Sequence, residues 1–143
     1  MVLKSGVLAF LILVLSGFVV KSEDWPSWRG VNRDDISTET GLLKEWPVDG
    51  PEKLWTSKDA GLGYSGFSIA NGVLFTMGAD GTAEESNEFI IAIKAESGEK
   101  IWQTNVGQYL DNGWGGGPRS TPTISGDRLV AIGGKGDVVC LSV

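Results

Sequence analysis

The sequence contains no histidine and only one cysteine among its 143 residues. A single cysteine cannot form an internal disulfide, and a catalytic thiol would have no histidine to act as its base. Cys140 is therefore interpreted as a small apolar side chain packed inside the protein. Positive charge is also scarce, since 12 Lys and Arg residues accompany 18 Asp and Glu residues and the net charge is −6. This balance argues against the basic surface that marks nucleic-acid-binding proteins.

The chain also lacks an apolar run of the length that a membrane span requires. Residues 5–20 form an uncharged, mostly apolar stretch of 16 residues after Lys4, whereas a transmembrane helix needs about 20. A positive residue, a short apolar run and a small residue, Ser22, before Glu23 are typical of a secretory signal peptide. We expect residues 1–22 to be removed on export, which leaves a periplasmic or secreted protein without a stable membrane span.

Glycine is abundant, with 21 residues, and it alternates with short β-branched runs. This composition is typical of an all-β chain of short strands and turns. Residues 61–66 form a literal G-x-G-x-x-G, which binds a dinucleotide only where a helix follows it. The segments that follow are instead two short strands separated by an Asn71-Gly72 hairpin turn. The sequence therefore predicts an all-β fold and no nucleotide site.

The strand-like segments recur along the chain. The recurring pairs are residues 52–55 with 99–102, a shift of 47, residues 68–75 with 123–130, a shift of 55, and residues 90–93 with 138–141, a shift of 48. Units of this length with four short strands are typical of β-propeller blades. We predict strands near residues 64–70, 73–78, 88–94 and 100–105 in a first blade, and near 120–125, 128–133 and 137–142 in a second.

The hairpin around Gly98 indicates which kind of propeller this is. Ala92, Ser97, Gly98 and Trp102 fall on the positions of the pattern A-x-D-x-x-T-G-x-x-x-W, with Lys94 in place of its Asp. This pattern resembles the tryptophan-docking repeat of the PQQ-like, quinoprotein-type β-propeller family. The resemblance implies that the small alanine makes room for the tryptophan of a neighbouring blade, which stacks near the turn glycine. For one copy alone, an ordinary β-hairpin with a buried tryptophan is the alternative.

The resemblance extends over residues 25–143 and divides the chain into three parts. A signal peptide, residues 1–22, precedes an N-terminal docking segment, residues 23–51, whose W-P-x-W-R-G pattern resembles the start of many such propellers. Residues 52–143 form a partial propeller of four-stranded antiparallel blades. It consists of a closing strand at residues 52–57, one blade and most of a second, so we expect the sequence to be part of a longer propeller.

Two functional classes occur in this family, and the fold does not choose between them. One comprises dehydrogenases that hold pyrroloquinoline quinone and calcium on the propeller axis and oxidise alcohols or sugars. The other comprises cofactor-free scaffolds, such as the propeller lipoprotein of the outer-membrane barrel assembly machine. The dehydrogenases commonly carry an adjacent cysteine pair over the quinone, whereas Cys140 is alone. We therefore expect a non-catalytic scaffold with no cofactor or metal, and the alternative is a quinone- and calcium-dependent periplasmic dehydrogenase.

Residues 113–120 are predicted to cross from the first blade to the second, and in this family such crossings face the central channel. Trp114 and Arg119 are therefore the candidates for contact with a protein partner or small ligand at the propeller axis. The alternative is that Arg119 pairs with a nearby carboxylate. The acidic residues of the 80–88 hairpin loop follow no known calcium-loop spacing and are interpreted as solvated, namely Asp80, Glu84, Glu85 and Glu88.

Overall fold

The computed structural model describes residues 22–143, which contain seven strands and no helix. The strands are β1 (Phe67–Ala70), β2 (Val73–Ala79), β3 (Asn87–Lys94), β4 (Lys100–Gln108), β5 (Thr123–Ser125), β6 (Arg128–Ile132) and β7 (Val138–Ser142). The all-β prediction is confirmed, and the seven strands predicted for the two blades are present with differences of up to three residues at their ends. The predicted signal peptide lies outside the described residues, apart from Ser22. In residues 22–143 no helix is long and apolar enough to cross a membrane.

The strands form two antiparallel meanders, a four-stranded sheet in the order β1-β2-β3-β4 and a three-stranded sheet in the order β5-β6-β7. Local turn chemistry determines the hairpins. Asn71 and Gly72 both have positive φ, 51° and 77°, which is the requirement of a two-residue type I′ turn. Gly98 has φ 73°, and the Lys94 amide donates to the Glu99 carbonyl at 2.8 Å to close the turn between β3 and β4.

The four-stranded sheet is buried on both faces, which explains why every residue of β3 from 88 to 93 is buried. One face carries Phe75, Met77 and Ile90, which pack against Leu129 and Ala131 of the three-stranded sheet. On the other face a second core forms around Phe89, Ile91 and Ile93, with Leu74 and Trp55 packed against it. An antiparallel sheet with two apolar faces must lie between other layers, because either face would otherwise meet water.

The two sheets are related by the sequence repeat, residue for residue. In the four-stranded sheet Ser68 pairs with Phe75, and Phe75 with Ala92. The equivalent positions of the three-stranded sheet show the same register, since Thr123 pairs with Val130, and Val130 with Cys140. The repeat predicted from the sequence is therefore also a repeat of strand pairing.

This equivalence makes the stacking head to tail. Leu74, Ile91 and Ile93 lie on one face of the four-stranded sheet, and their equivalents in the three-stranded sheet are Leu129, Val139 and Leu141. These equivalents pack against the other face of the four-stranded sheet. The interface thus joins two different faces of equivalent sheets, and such a heterologous contact can be repeated from unit to unit.

Cys140 is exposed, so the prediction that it packs inside the protein is wrong for the described residues. It lies with Val130, Ile132 and Val138 on the outer face of the three-stranded sheet, where the three apolar side chains are also exposed. In the four-stranded sheet the equivalent residue, Ala92, is fully buried because the three-stranded sheet covers it. Among residues 22–143 no second layer covers the face of Cys140.

Residues 52–57, predicted as a closing strand, are not in a strand and pair with no strand within the described part of the chain. Trp55 nevertheless docks. Its ring packs over Gly98, where an added Cβ would lie 2.6 Å from a ring carbon, and its indole N–H donates to the Ala95 carbonyl at 2.9 Å. A strand forms only with a partner, whereas a tryptophan can dock through its side chain alone.

The start of the N-terminal segment also docks, through Trp25 and Pro26, whereas Trp28 is 66% exposed. The Trp25 amide and carbonyl both hydrogen-bond to Ile69 of β1 at 2.8 Å, and the Pro26 carbonyl accepts from the Ile124 amide of β5 at 2.7 Å. β1 and β5 are the first strands of their sheets, lie at the sheet edges and are in contact with each other. This segment therefore links the β1 edge of one sheet to the β5 edge of the other, and we call these the inner edges. Residues 31–49, by contrast, are exposed throughout.

Candidate functional site

The connection from β4 to β5, residues 109–122, lies against the loop that enters β1. The Tyr64 amide donates to the Pro118 carbonyl at 2.9 Å, and the Gly117 amide donates to the Leu110 carbonyl at 2.8 Å. Gly117 has φ 92°, and a Cβ there would lie 3.1 Å from the Cα of Gly63. Glycine is needed at this position because both the conformation and the close approach of two backbones exclude a side chain.

Arg119 belongs to this connection, and all its hydrogen-bond acceptors within residues 22–143 are neutral. Its Nη2 donates to the Gly115 carbonyl at 2.6 Å and to Asn112 Oδ1 at 3.4 Å, and its Nη1 donates to the Gly117 carbonyl at 3.3 Å. No carboxylate among the described residues lies within ion-pair distance of Arg119. The alternative in which Arg119 pairs with a carboxylate is therefore wrong for residues 22–143.

Three exposed aromatic side chains line the cavities that Arg119 borders. Its guanidinium carbon is 5.5 Å from the ring centroid of Tyr64, which is 65% exposed, while Trp28 is 66% and Trp114 is 89% exposed. Arg119 borders two open cavities of about 550 and 490 Å³, the first beside Trp28 and Tyr64 and the second beside Trp114. We call this region the inner-edge surface and define it by Trp28, Tyr64, Asn112, Trp114, Arg119 and Ser120.

Trp114 and Arg119, the two sequence candidates, thus lie on one surface, and the structure adds Tyr64 and Trp28. The sequence analysis does not predict Tyr64 as a site residue, because it lies in the G-x-G-x-x-G stretch, which indicates at most a nucleotide-binding motif. A signal was nevertheless present, since the separation of Tyr64 and Arg119 along the chain equals the shift that relates β1 to β5.

The docking-motif residues have structural contacts rather than contacts with the inner-edge surface. Ala92 is fully buried opposite Trp102, and the Trp102 ring lies 5.9 Å from that of Phe75. Ser97 Oγ accepts from the Glu99 amide at 3.4 Å. Lys94, at the position where the family pattern has Asp, forms a 2.6 Å ion pair with Glu99 across the turn.

Glu88 is fully buried, so its assignment to a solvated loop is wrong. It belongs to β3, and its two carboxyl oxygens accept from the Leu110 amide at 3.2 Å and the Gly134 amide at 2.6 Å. Leu110 lies in the connection that follows β4, and Gly134 lies in the turn between β6 and β7. Glu88 therefore connects the four-stranded sheet to the turn between β6 and β7, which is a structural role.

The other acidic residues of this loop are exposed, as predicted for Asp80, Glu84 and Glu85. In residues 22–143 no three His, Cys, Asp or Glu side chains are grouped so that they could hold a metal ion. A larger cavity of about 760 Å³ lies between residues 22–24 and 38–40. Its polar groups are already engaged with each other, since the Glu23 amide donates to Glu39 at 2.9 Å.

Comparison of the chain with protein families, with curated proteins and with solved structures found no match.

Proposed function

We propose that the protein is an exported, non-catalytic PQQ-like-repeat β-propeller that acts as a binding scaffold. The observation that carries this proposal is the head-to-tail stacking of equivalent sheets. Phe75 and Met77 contact the three-stranded sheet, and their equivalents in that sheet, Val130 and Ile132, lie on its outer face. A heterologous contact of this kind can repeat, and it closes into a ring where the rotations of successive units add up to a full turn without translation along the axis.

Trp55 supports the same arrangement from the other side. It lies one repeat before Trp102. Trp55 packs on one face of the four-stranded sheet, and Trp102 packs on the equivalent face of the three-stranded sheet. Each tryptophan therefore occupies the same place relative to the sheet that follows it. This is the position expected for the outermost strand of a preceding blade.

The binding function rests on the inner-edge surface. The loops that enter the first strand of each sheet meet there, and they carry the exposed rings of Tyr64 and Trp114 and an arginine that has no carboxylate partner among residues 22–143. The N-terminal segment adds the exposed ring of Trp28. Solvent-exposed aromatic and arginine side chains are the residues enriched at binding hot spots. A rigid β-sheet scaffold with variable loops at one edge is a common way to present such residues.

A quinone- and calcium-dependent dehydrogenase is the alternative, because Trp114 and Arg119 are the kinds of side chain that a flat, carboxylated cofactor requires. The described residues do not fit that group. Trp114 is 89% exposed, and within residues 22–143 its ring makes no hydrogen bond, since the bond to Asn112 Oδ1 at 3.2 Å comes from its backbone amide. Its ring is therefore not held as a stacking platform. Residues 22–143 also contain no group of three carboxylates for calcium.

The assay that decides between the two classes is incubation of the native protein with pyrroloquinoline quinone and calcium, followed by gel filtration. Dye reduction is then measured with a panel of alcohols and sugars. We expect no turnover above the rate of free quinone and no quinone in the protein fraction. Turnover together with retained quinone would place the protein in the dehydrogenase class.

A further inference from the structure

The guanidinium of Arg119 is positioned but not neutralised. An arginine side chain has five N–H donors, and Arg119 makes three hydrogen bonds, to Gly115, Gly117 and Asn112. At least two donors therefore have no acceptor among residues 22–143. Since all three acceptors are neutral, the positive charge is available to a carboxylate, which arginine binds in a bidentate manner.

The surroundings of Arg119 are aromatic on both sides. Tyr64 and Trp28 border one cavity and Trp114 borders the other, with Arg119 and Ser120 common to both. The cavities are open and shallow, whereas a small aromatic acid is normally bound in a closed pocket that buries most of its surface. An open groove with rings at several points suits an extended ligand that makes several shallow contacts.

A peptide that adds as a β-strand is disfavoured at this edge. Trp25 already uses the free amide and carbonyl of Ile69 in β1, and Pro26 accepts the amide of Ile124 in β5. Strand addition requires unpaired backbone groups at a sheet edge. Ligand contacts here must therefore come from side chains, namely aromatic rings, the Ser120 hydroxyl, the Asn112 amide and the Arg119 guanidinium.

We propose that the inner-edge surface binds a carboxylate-bearing saccharide, with Arg119 on the carboxylate and Trp114 against a sugar ring. Tyr64 and Trp28 add the ring faces opposite to those that Arg119 and Arg29 cover. A pyranose presents C–H groups on its faces and hydroxyl groups at its edge, and this pattern matches aromatic rings bordered by hydroxyl and amide side chains. The proposal rests on the proposed scaffold function and names the ligand class of its binding surface.

The test is isothermal titration of the full chain with a galacturonic acid hexamer. Three further ligands isolate the chemistry. The methyl-esterified hexamer keeps the sugar rings and loses the charge, hexaglutamate keeps the charge and loses the rings, and cellohexaose is a neutral saccharide. We expect the galacturonate hexamer to bind at least tenfold more tightly than each of the other three, with an affinity that falls as salt is added.

Matched variants locate the site. Arg119→Gln should weaken galacturonate binding tenfold or more because a charged hydrogen-bond donor is lost, and Trp114→Ala should weaken it about fivefold or more. The controls are Arg128→Gln, an exposed arginine on the outer face of the three-stranded sheet, and Trp46→Ala, an exposed tryptophan of residues 31–49. Both controls should bind within about twofold of the parent protein, and circular dichroism verifies that every variant is folded.

The outcomes are separable from those of the quinone assay. Absence of galacturonate binding, equal binding of the methyl ester, equal binding of hexaglutamate, or unchanged binding by folded Arg119→Gln would each overturn the saccharide assignment. None of these results affects the scaffold proposal, which the dye-reduction assay decides. Conversely, quinone-dependent turnover would overturn the scaffold proposal whatever the saccharide titration shows.

Discussion

Trp55 and Gly98 give a sharp test of the proposed docking. Trp55→Ala removes a ring that packs against Phe89, Ile91 and Ile93 and a hydrogen bond to the Ala95 carbonyl. Truncation of a fully buried tryptophan costs about 3–5 kcal/mol. Since Trp55 is only half-buried, we expect the lower end of this range, a loss of about 3 kcal/mol in the free energy of unfolding.

Gly98→Ala tests the other side of the same contact. Gly98 has φ 73°, which costs a residue with a Cβ about 1–2 kcal/mol, and the added Cβ would lie 2.6 Å from the Trp55 ring. The ring must therefore move, and we expect a total loss of about 3 kcal/mol. In the Trp55→Ala background only the backbone strain remains, so Gly98→Ala should then cost about 1–2 kcal/mol.

The measurement is urea denaturation of the parent, both single variants and the double variant, followed by far-ultraviolet circular dichroism. Trp46→Ala is the control, since Trp46 is 70% exposed and its replacement should change stability by no more than about 0.5 kcal/mol. The docking predicts a coupling of about 1–2 kcal/mol between Trp55 and Gly98. Additive effects of the two substitutions would refute the contact.

Three further predictions follow from individual residues. Glu88→Gln should lower the free energy of unfolding by about 1–3 kcal/mol, because the new side-chain amide nitrogen would face one of the two backbone amides that now donate to the carboxyl oxygens. Glu85→Gln, at an exposed neighbour, is the control in urea denaturation, and equal stability of the two variants would contradict the role of Glu88. Asn71→Val should cost about 1–2 kcal/mol because φ is 51° there, whereas Asn71→Gly should be nearly neutral, and thermal melts that rank them in the opposite order would argue against the type I′ turn. The Cys140 thiol, exposed in residues 22–143, should react with a thiol reagent at the rate of a free cysteine in a protein limited to these residues. In a protein with the proposed propeller complete it should react far more slowly, because a neighbouring blade would cover its face, and equally fast labelling there would contradict the proposed propeller.

The strands and turns could be predicted because their determinants are local. The short apolar runs of the strands, such as residues 89–93 of β3, are present in the sequence, and so are the two turn residues Asn71 and Gly72. The sequence repeat then added the pairing register, since equivalent strands pair in equivalent ways. None of this required knowledge of contacts between distant segments.

The failures concern residues whose environment is decided at a distance. Glu88 accepts hydrogen bonds from the amides of Leu110 and Gly134, which are remote from it along the chain. Its place at the start of the strand predicted near residues 88–94 therefore does not reveal that its side chain is buried. The exposure of Cys140 depends on what covers its sheet rather than on β7 itself. A pairing of Arg119 with a carboxylate was one prediction from the sequence, whereas the glycine-rich turn beside it supplies backbone carbonyls as its acceptors.

Tyr64 and Arg119 lie where the repeat could carry the proposed binding function without a change in its core. Both occupy the same position of the repeat, and each lies in the loop that enters the first strand of its sheet. Core positions such as Leu74 and Leu129 must remain apolar because they form the contacts between layers. The loop position carries no such constraint, since both side chains are exposed, and here one unit supplies an aromatic ring and the next a cation. The guanidinium of Arg119 lies 5.5 Å from the ring centroid of Tyr64, so successive units contribute neighbouring side chains to the inner-edge surface. The chemistry of that surface can therefore change one loop at a time without disturbing the stacking of the sheets.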